Sequence, residues 1–264
     1  MVKVYFVATP IGNLGEMSPR AIETLNSVDV IYCEDTRHSG MLLKNFNITK
    51  PLRSYHKFNE VSTLAQLSQD ILVGTVAVIA DAGMPTISDP GQIMVNYLKE
   101  NNIAYTVISG SCAFVNAVAL SGFSSPFTFV GFLPEKTVER DKLWQTISTA
   151  CTLIFYSSVH NVEDDLAYLY TVLGERQVCI ARELTKLYES LTFGTLGSVK
   201  IDVAKGEFVI VVEGKLEVNP LTNLTVQQHI DYYIDCGLTK MQAIKQVAKD
   251  RNITKNEIYA KTIK

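Results

Sequence analysis

The chain has 264 residues, of which 47% are hydrophobic and 19% charged; 24 Lys and Arg face 27 Asp and Glu, for a formal net charge of −3. This balance argues against a disordered chain, a membrane protein and a protein coated with positive charge for nucleic acid in general. At about 150 residues per domain, the length predicts two domains.

Residues 4–8 predict the first strand. Ser18-Pro19 opens a helix, because Ser is a good N-cap and Pro suits the first helical position. Residues 28–33 predict a second strand, 37–46 a second helix, and Asn59 caps a third helix running to about residue 72. Residues 75–80 (T-V-A-V-I-A) are nearly all apolar, as a strand buried on both faces requires. A helix near 91–101, a strand at 105–108 and a helix at 113–120 complete the first half. The second half predicts strands at 127–130, 152–156, 177–181, 190–193 and 208–212, with helices at 138–150 and 162–173. Such alternation indicates α/β layers with a substantially parallel sheet. Residues 121–134, with two prolines and two glycines, are the natural boundary between α/β domains at 1–121 and 122–215.

After a linker at 215–223 the pattern changes. Thr225 with Gln228, Thr239 with Gln242 and Thr254 with Glu257 spell three capping boxes, so residues 224–264 predict three short helices. Charge is distributed unevenly over these parts. Residues 1–120 carry 8 basic and 10 acidic residues (−2), residues 121–220 carry 9 and 13 (−4), and residues 221–264 carry 7 and 4 (+3). A positive three-helix module suits nucleic acid, or else it is a packing appendage or dimerisation arm. Within the acidic first part, residues 36–60 hold five basic residues (Arg37, Lys44, Lys50, Arg53, Lys57) against Glu60 alone, together with His38 and His56.

The five cysteines, at 33, 112, 151, 179 and 236, show no C-x-x-C spacing and read as reduced thiols, not disulfides or a zinc site. No apolar run reaches the roughly 18 residues of a membrane span. The N-terminal run turns into Thr9-Pro10 too soon for a signal peptide. A cytoplasmic protein without a metal site is expected.

Several strand-end loops are rich in small or polar residues. Residues 8–15 (A-T-P-I-G-N-L-G) form a Gly-rich turn where α/β sheets bind ligands, or simply a tight turn. Residues 81–91 (D-A-G-M-P-T-I-S-D-P-G) allow a ligand close to the backbone, although Asp89 could equally be an N-cap. Residues 109–113 (S-G-S-C-A) again follow a strand, and three such loops in one half suggest one cleft. Glu34 and Asp35 could bind a ribose in an ordinary dinucleotide enzyme or cap the next helix. Arg182 and Glu183 form an ion pair, or Arg182 and Lys186 meet phosphate. His160 and His229 read as structural. The phosphate-loop, H-E-x-x-H and G-x-S-x-G motifs are absent from the sequence, which disfavours the chemistries they support.

Seven motifs go further. V-A-T-P-I-G-N-L-G-E-M-S-P-R-A, C-E-D-T-R-H-S-G, S-Y-H-K-F-N-E, D-A-G-M-P-T-I-S-D-P-G, G-F-L-P-E-K, I-F-Y-S-S-V-H and A-R-E-L-T-K follow one another from residue 7 to 186. In this order they resemble the bacterial ribosomal RNA small-subunit methyltransferase I family, of the tetrapyrrole methylase-like superfamily (class III methyltransferases). The resemblance implies two α/β domains with S-adenosylmethionine (SAM) in the cleft between them, and a homodimer. It also implies 2′-O-methylation of a cytidine ribose in the decoding region of 16S rRNA. SAM would meet Pro10, Gly83, Met84, Pro85, Ile87, Ser88, Ser111 and Cys112 from the first domain and Tyr156, Ala181, Leu184 and Phe208 from the second. Two positions depart from the family pattern: Met84 replaces a Thr, and S-G-S-C-A stands where P-G-P-S-A is usual. His38, His56 and Glu183 are candidate bases for the ribose hydroxyl. Arg20, Arg37, Lys44, Arg53, Lys57, Arg182 and Lys186 are candidate RNA contacts. Two other readings are an enzyme for a small tetrapyrrole-like substrate and a non-catalytic RNA-binding protein of the same fold.

Overall fold

The computed structural model describes residues 2–124, 126–202, 205–215, 220–251 and 253–262. Two compact units, Met1–Lys215 and Leu216–Lys264, divide the chain.

The first unit contains two five-stranded sheets. In the first, β1 (Val4–Val7), β2 (Val30–Cys33), β3 (Leu52–Ser54), β4 (Val76–Val78) and β5 (Tyr105–Ile108) lie in the order β3-β2-β4-β1-β5, with every pair parallel. Side chains alternate across a strand, so each central strand feeds two apolar layers. Val4, Phe6, Val30, Tyr32, Val76 and Val78 join Leu67 and Ile71 of α3 (Glu60–Val73) and Met94 and Leu98 of α4 (Gln92–Glu100). Val7, Ile31, Cys33 and Ala77 join Ala21 and Leu25 of α1 (Pro19–Ser27) and Leu43 of α2 (Thr36–Asn45) on the other face. Burial on both sides explains why β2 and β4 are apolar without interruption. Ser18 caps α1 as expected, its Oγ accepting the Ala21 N–H at 3.1 Å.

Asn59 precedes α3, but its side chain turns backwards. Its Oδ1 accepts the His56 N–H at 2.7 Å and its Nδ2 donates to the Ser54 carbonyl at 3.1 Å, so the local turn takes the groups a cap would have used. The edge strand β3 has no counterpart among the sequence-predicted elements. It is three partly buried or exposed residues long, too short for an alternation to register.

The second sheet comprises β6 (Phe127–Phe132), β7 (Thr152–Ser157), β8 (Gln177–Arg182), β9 (Ser190–Thr195) and β10 (Phe208–Val212), in the order β6-β7-β10-β8-β9. Only β6 and β7 pair in parallel; the other three pairs are antiparallel, which corrects the expectation of a parallel sheet here. The cause is connectivity: β8 and β9 form a hairpin, and β10 returns between β7 and β8. Helix α7 (Val162–Leu173) covers one face through Leu166, Leu169 and Leu173. The other face takes Phe114 and Ala117 of α5 (Ala113–Ser121), the last helix of the first half, which joins the two sheets within one unit. Helix α6 (Thr137–Thr146) ends four residues before the sequence-predicted end, because Ile147 is already extended.

In the second unit, α8 (Val226–Asp235), α9 (Lys240–Asp250) and α10 (Lys255–Thr262) surround their own core of Ile230, Ala243, Ile244, Val247 and Ile258. Thr225–Gln228 and Thr239–Gln242 form complete capping boxes; at α10, Thr254 Oγ1 accepts the Glu257 N–H at 3.3 Å. His229 is fully buried, with its Nε2 3.2 Å from Asp250 and its Nδ1 accepting from Arg251, a structural role. Of the predicted linker, residues 216–219 lie outside the described residues, and Pro220–Asn223 is a 3-10 turn. No described helix is long and apolar enough to cross a membrane. Among the described residues, no group of three or more metal-ligating side chains is placed to hold an ion.

Candidate active site

Parallel pairing puts the carboxyl ends of β1–β5 at one edge of the first sheet, and the loops leaving them are tied together there. Thr9 and Gly83 exchange backbone hydrogen bonds at 2.9 and 3.1 Å, clipping the loop after β1 to the loop after β4. The Asp35 N–H donates to Asp81 Oδ1 at 3.2 Å, tying the loop after β2 to the same place. Gly110 lies against Ala8, where an added Cβ would come within 2.9 Å of the Ala8 Cβ.

These loops and the second sheet enclose a cavity of about 350 Å³. The first half contributes Ile11, the loop Asp81–Gly83, Met84, Ile87, Ser88, Asp89, Cys112 and Ala113. The second half contributes Phe132, Tyr156, Ser157, Ser158, Ala181, Leu184, Glu207, Phe208 and Val209. A β-bulge at Gly131, with φ of +79°, carries β6 over the loop after β4; a Cβ there would lie 3.0 Å from Ser88 Oγ. Thr86 and Ser88 hold φ of +74° and +65°, backbone strain of the kind that collects at functional sites.

The walls are mostly apolar, and the charge inside is negative. Burial, with Glu34 and Asp81 close by, pushes the Asp89 carboxyl up to about 7. Burial and Asp81 also raise Glu34, against the pull of His56. Tyr156 keeps its proton: burial raises it strongly, and its hydroxyl accepts the Phe114 N–H at 3.3 Å, at the start of α5. Burial likewise raises the Cys112 thiol. Asp89 is not the N-cap of α4, since the helix begins at Gln92 and Gly91 takes that position.

Of the residues expected to meet SAM, all but Pro10, Pro85 and Ser111 line the cavity. Ser111 instead donates to Glu16 at 2.6 Å. Asp81, Asp89, Phe132, the Ser157–Ser158 pair and Glu207 line it without having been assigned from the sequence. Their signal was present in the D-A-G, D-P-G, G-F-L-P, Y-S-S-V-H and G-E-F segments, but the sheet edges that bring these segments together are not written in any one of them.

The three candidate bases lie outside the cavity lining. His38 is exposed on α2, and His56 Nδ1 accepts the Phe58 N–H at 3.3 Å. Glu183 Oε1 accepts from Lys186 Nζ at 2.8 Å and from the Glu207 N–H at 2.9 Å; despite burial, these partners hold its carboxyl below the usual range. Lys186 also meets Glu207 at 2.9 Å, and its side chain packs against Gly12, where a Cβ would lie 2.3 Å from Lys186 Cγ. Among the candidate RNA contacts, Arg53 is bidentate to Asp70 at 2.6 and 3.0 Å, and Arg182 donates to the Lys205 and Tyr188 carbonyls. Arg37 is exposed while paired to Asp35 at 3.0 Å. Arg20, Lys44 and Lys57 are exposed and form no ion pair among the described residues.

The comparisons with known proteins agree with this architecture. Residues 3–200 match the family of Tetrapyrrole (Corrin/Porphyrin) Methylases. The solved uroporphyrin-III-C-methyltransferase of Thermus thermophilus superposes with a TM-score of 0.58 at 16% identity, over 81% of this chain and 94% of that one, and shares the fold. The chain is 44% identical to the ribosomal RNA small subunit methyltransferase I of Halalkalibacterium halodurans, over 97% of this chain and 93% of that protein. For the proteins of the same name from Bacillus subtilis and Synechocystis the identities are 38% and 40%, again over 97% of this chain and over 92% and 95% of theirs. The chain belongs to the tetrapyrrole methylase family and, within it, to the ribosomal RNA small subunit methyltransferase I group. It is a methyltransferase with SAM as its methyl donor.

The cavity suits that donor. Burial first, and then the Glu34 and Asp81 charges, raise Asp89; a sulfonium cation would offset both by favouring the ionised carboxylate, and the apolar walls suit the uncharged parts of the molecule. At Gly83, which lines the cavity, φ of +81° and a Cβ position only 3.2 Å from Ile11 Cγ2 disfavour any side chain.

Proposed function

We propose that the chain methylates the 2′-hydroxyl of a cytidine ribose in the decoding region of 16S rRNA, acting in the cytoplasm as a homodimer. The reading rests on the near full-length similarity to relatives named for the small-subunit RNA. The uneven charge supports it: residues 36–60 sum to +4 and residues 221–264 to +3 within a chain of −3.

SAM supplies a methyl group already activated on a cation, so the protein mainly has to align donor and acceptor and keep water out. Gly83, Met84, Ile87, Ser88 and Cys112 would hold it from the first half, with Tyr156, Ala181, Leu184 and Phe208 from the second. Asp81 and Asp89 oppose its charge. Tyr156, protonated and fixed at the start of α5, is a neutral wall between the two halves. The ribose hydroxyl loses its proton as the new bond forms. We place the proton acceptor in the Glu34–Asp81–Asp89 cluster, because Glu34 and Asp81 act electrostatically on Asp89 and the bound sulfonium favours the ionised Asp89 carboxylate, which can take up the proton. His56 and Glu183 then act on loop positions, and His38 with Arg37, Lys44 and Lys57 faces the RNA.

The test is to incubate labelled SAM with small subunits from a strain lacking this methyltransferase and to map the product. One labelled cytidine whose 3′ linkage resists alkaline cleavage is expected. Label only on a tetrapyrrole, or binding of rRNA with no methyl transfer, would overturn the reading.

A further inference from the structure

The loop after β3, residues 55–59, leaves the same edge of the first sheet as the cavity loops. It stands two strands from the loop after β4, about 10 Å at the usual strand spacing. It carries Phe58, which is 92% exposed, the highest value among the large hydrophobic side chains described. A lone exposed apolar residue is ordinary. Here the surrounding side chains are committed to holding it. His56 Nδ1 accepts the Phe58 N–H at 3.3 Å, and Asn59 bonds the His56 N–H at 2.7 Å and the Ser54 carbonyl at 3.1 Å. The Glu60 carboxylate accepts the Tyr55 hydroxyl at 2.8 Å and the Gly91 N–H at 3.0 Å. The Phe58 loop is thereby fastened to the end of the cavity loop that contains Asp89. Beside the ring, Lys57 is exposed and makes no ion pair among the described residues.

We propose that Phe58 is a stacking platform for an unpaired nucleobase of the RNA substrate close to the target nucleotide, with Lys57 on the adjoining phosphate. The inference rests on the RNA reading above. A rigid loop presents the ring without an ordering cost at binding, and aromatic faces are what splayed-out RNA bases stack on. Lys44 and Lys57, exposed and without an ion pair among the described residues, favour a polyanion over a second copy of this chain.

The experiment uses the full chain with unmethylated small subunits and compares Phe58→Ala, Phe58→Leu and Phe58→Trp. The Ala and Leu variants should raise the KM for RNA about tenfold, with SAM affinity and thermal midpoint unchanged. Phe58→Trp should restore the KM and lose fluorescence when RNA is added, measured against the signal of Trp144, the only native tryptophan. An unchanged KM in the Ala variant, full activity of the Leu variant, or a change of oligomeric mass in either would each overturn the proposal. If the wild-type chain fails to label small subunits, the RNA reading falls and the stacking role with it. If it labels them and the Phe58 variants match it, the stacking role alone falls.

Discussion

At Asp89, a carboxyl held beside two others in an apolar cavity has a pKa of about 7, against an ordinary 3.8. The folded chain therefore binds this proton more tightly than the unfolded one. Its contribution to stability is complete below about pH 4 and is lost as pH rises through 7. Without SAM, Asp89→Asn should melt higher than wild type at pH 8, with the difference closing towards pH 4. SAM binding has the opposite sign, since the cation needs the ionised carboxylate: wild-type affinity should rise between pH 6 and 8. The Asn variant should bind about tenfold more weakly at pH 8 and show little of this pH dependence, as titration calorimetry would reveal. At Lys186, one ammonium satisfies Glu183 and Glu207 together. Lys186→Met leaves a largely buried carboxylate with one backbone partner. It should cost about 1–3 kcal/mol in urea unfolding and weaken SAM binding, because Glu207 lines the cavity.

Among the elements, the legibility of each follows from what holds it. Helix α1 was readable because Ser18 and Pro19 act within its first turn. The capping boxes of α8 and α9 were readable for the same reason. Thr239→Ala should cost about 1 kcal/mol and speed amide exchange in α9 while leaving exchange in residues 1–215 unchanged. Asn59 misled because its side chain had two uses, cap or turn, and Ser54 and His56 decided between them. Strand β3 escaped because three residues on a sheet edge carry no periodic signal. The strands of the second sheet were readable as strands, but their directions were not: apolar alternation looks the same in either orientation.

For the whole molecule, the separation of units has a consequence. Every cavity-lining residue lies within Met1–Lys215. A chain ending at Lys215 should keep SAM affinity within about twofold of the full chain. Its binding to small subunits should weaken and respond less steeply to salt, because losing residues 216–264 removes a net +2. Equal salt slopes for the two chains in a filter-binding titration would show that the helical unit makes no electrostatic contribution.

By itself the sequence determined the strand–helix alternation, the helical tail, the uneven charge and, through motifs spread over 7–186, the family. It also singled out most of the segments that line the cavity, because glycine and small residues after a buried strand mark where backbone must approach a ligand. Tertiary structure alone decided which charges are available. Arg53, Arg182 and Lys186 look equivalent to Lys57 or Arg20 in a list of residues, yet the fold pairs Arg53 with Asp70 and Lys186 with Glu183 and Glu207, and ties Arg182 to the Lys205 and Tyr188 carbonyls. It leaves Asp81 and Asp89 facing a cavity without a counter-charge among the described residues. Partners for a charge are set by distances between segments far apart in the chain, and only folding brings those distances within bonding range.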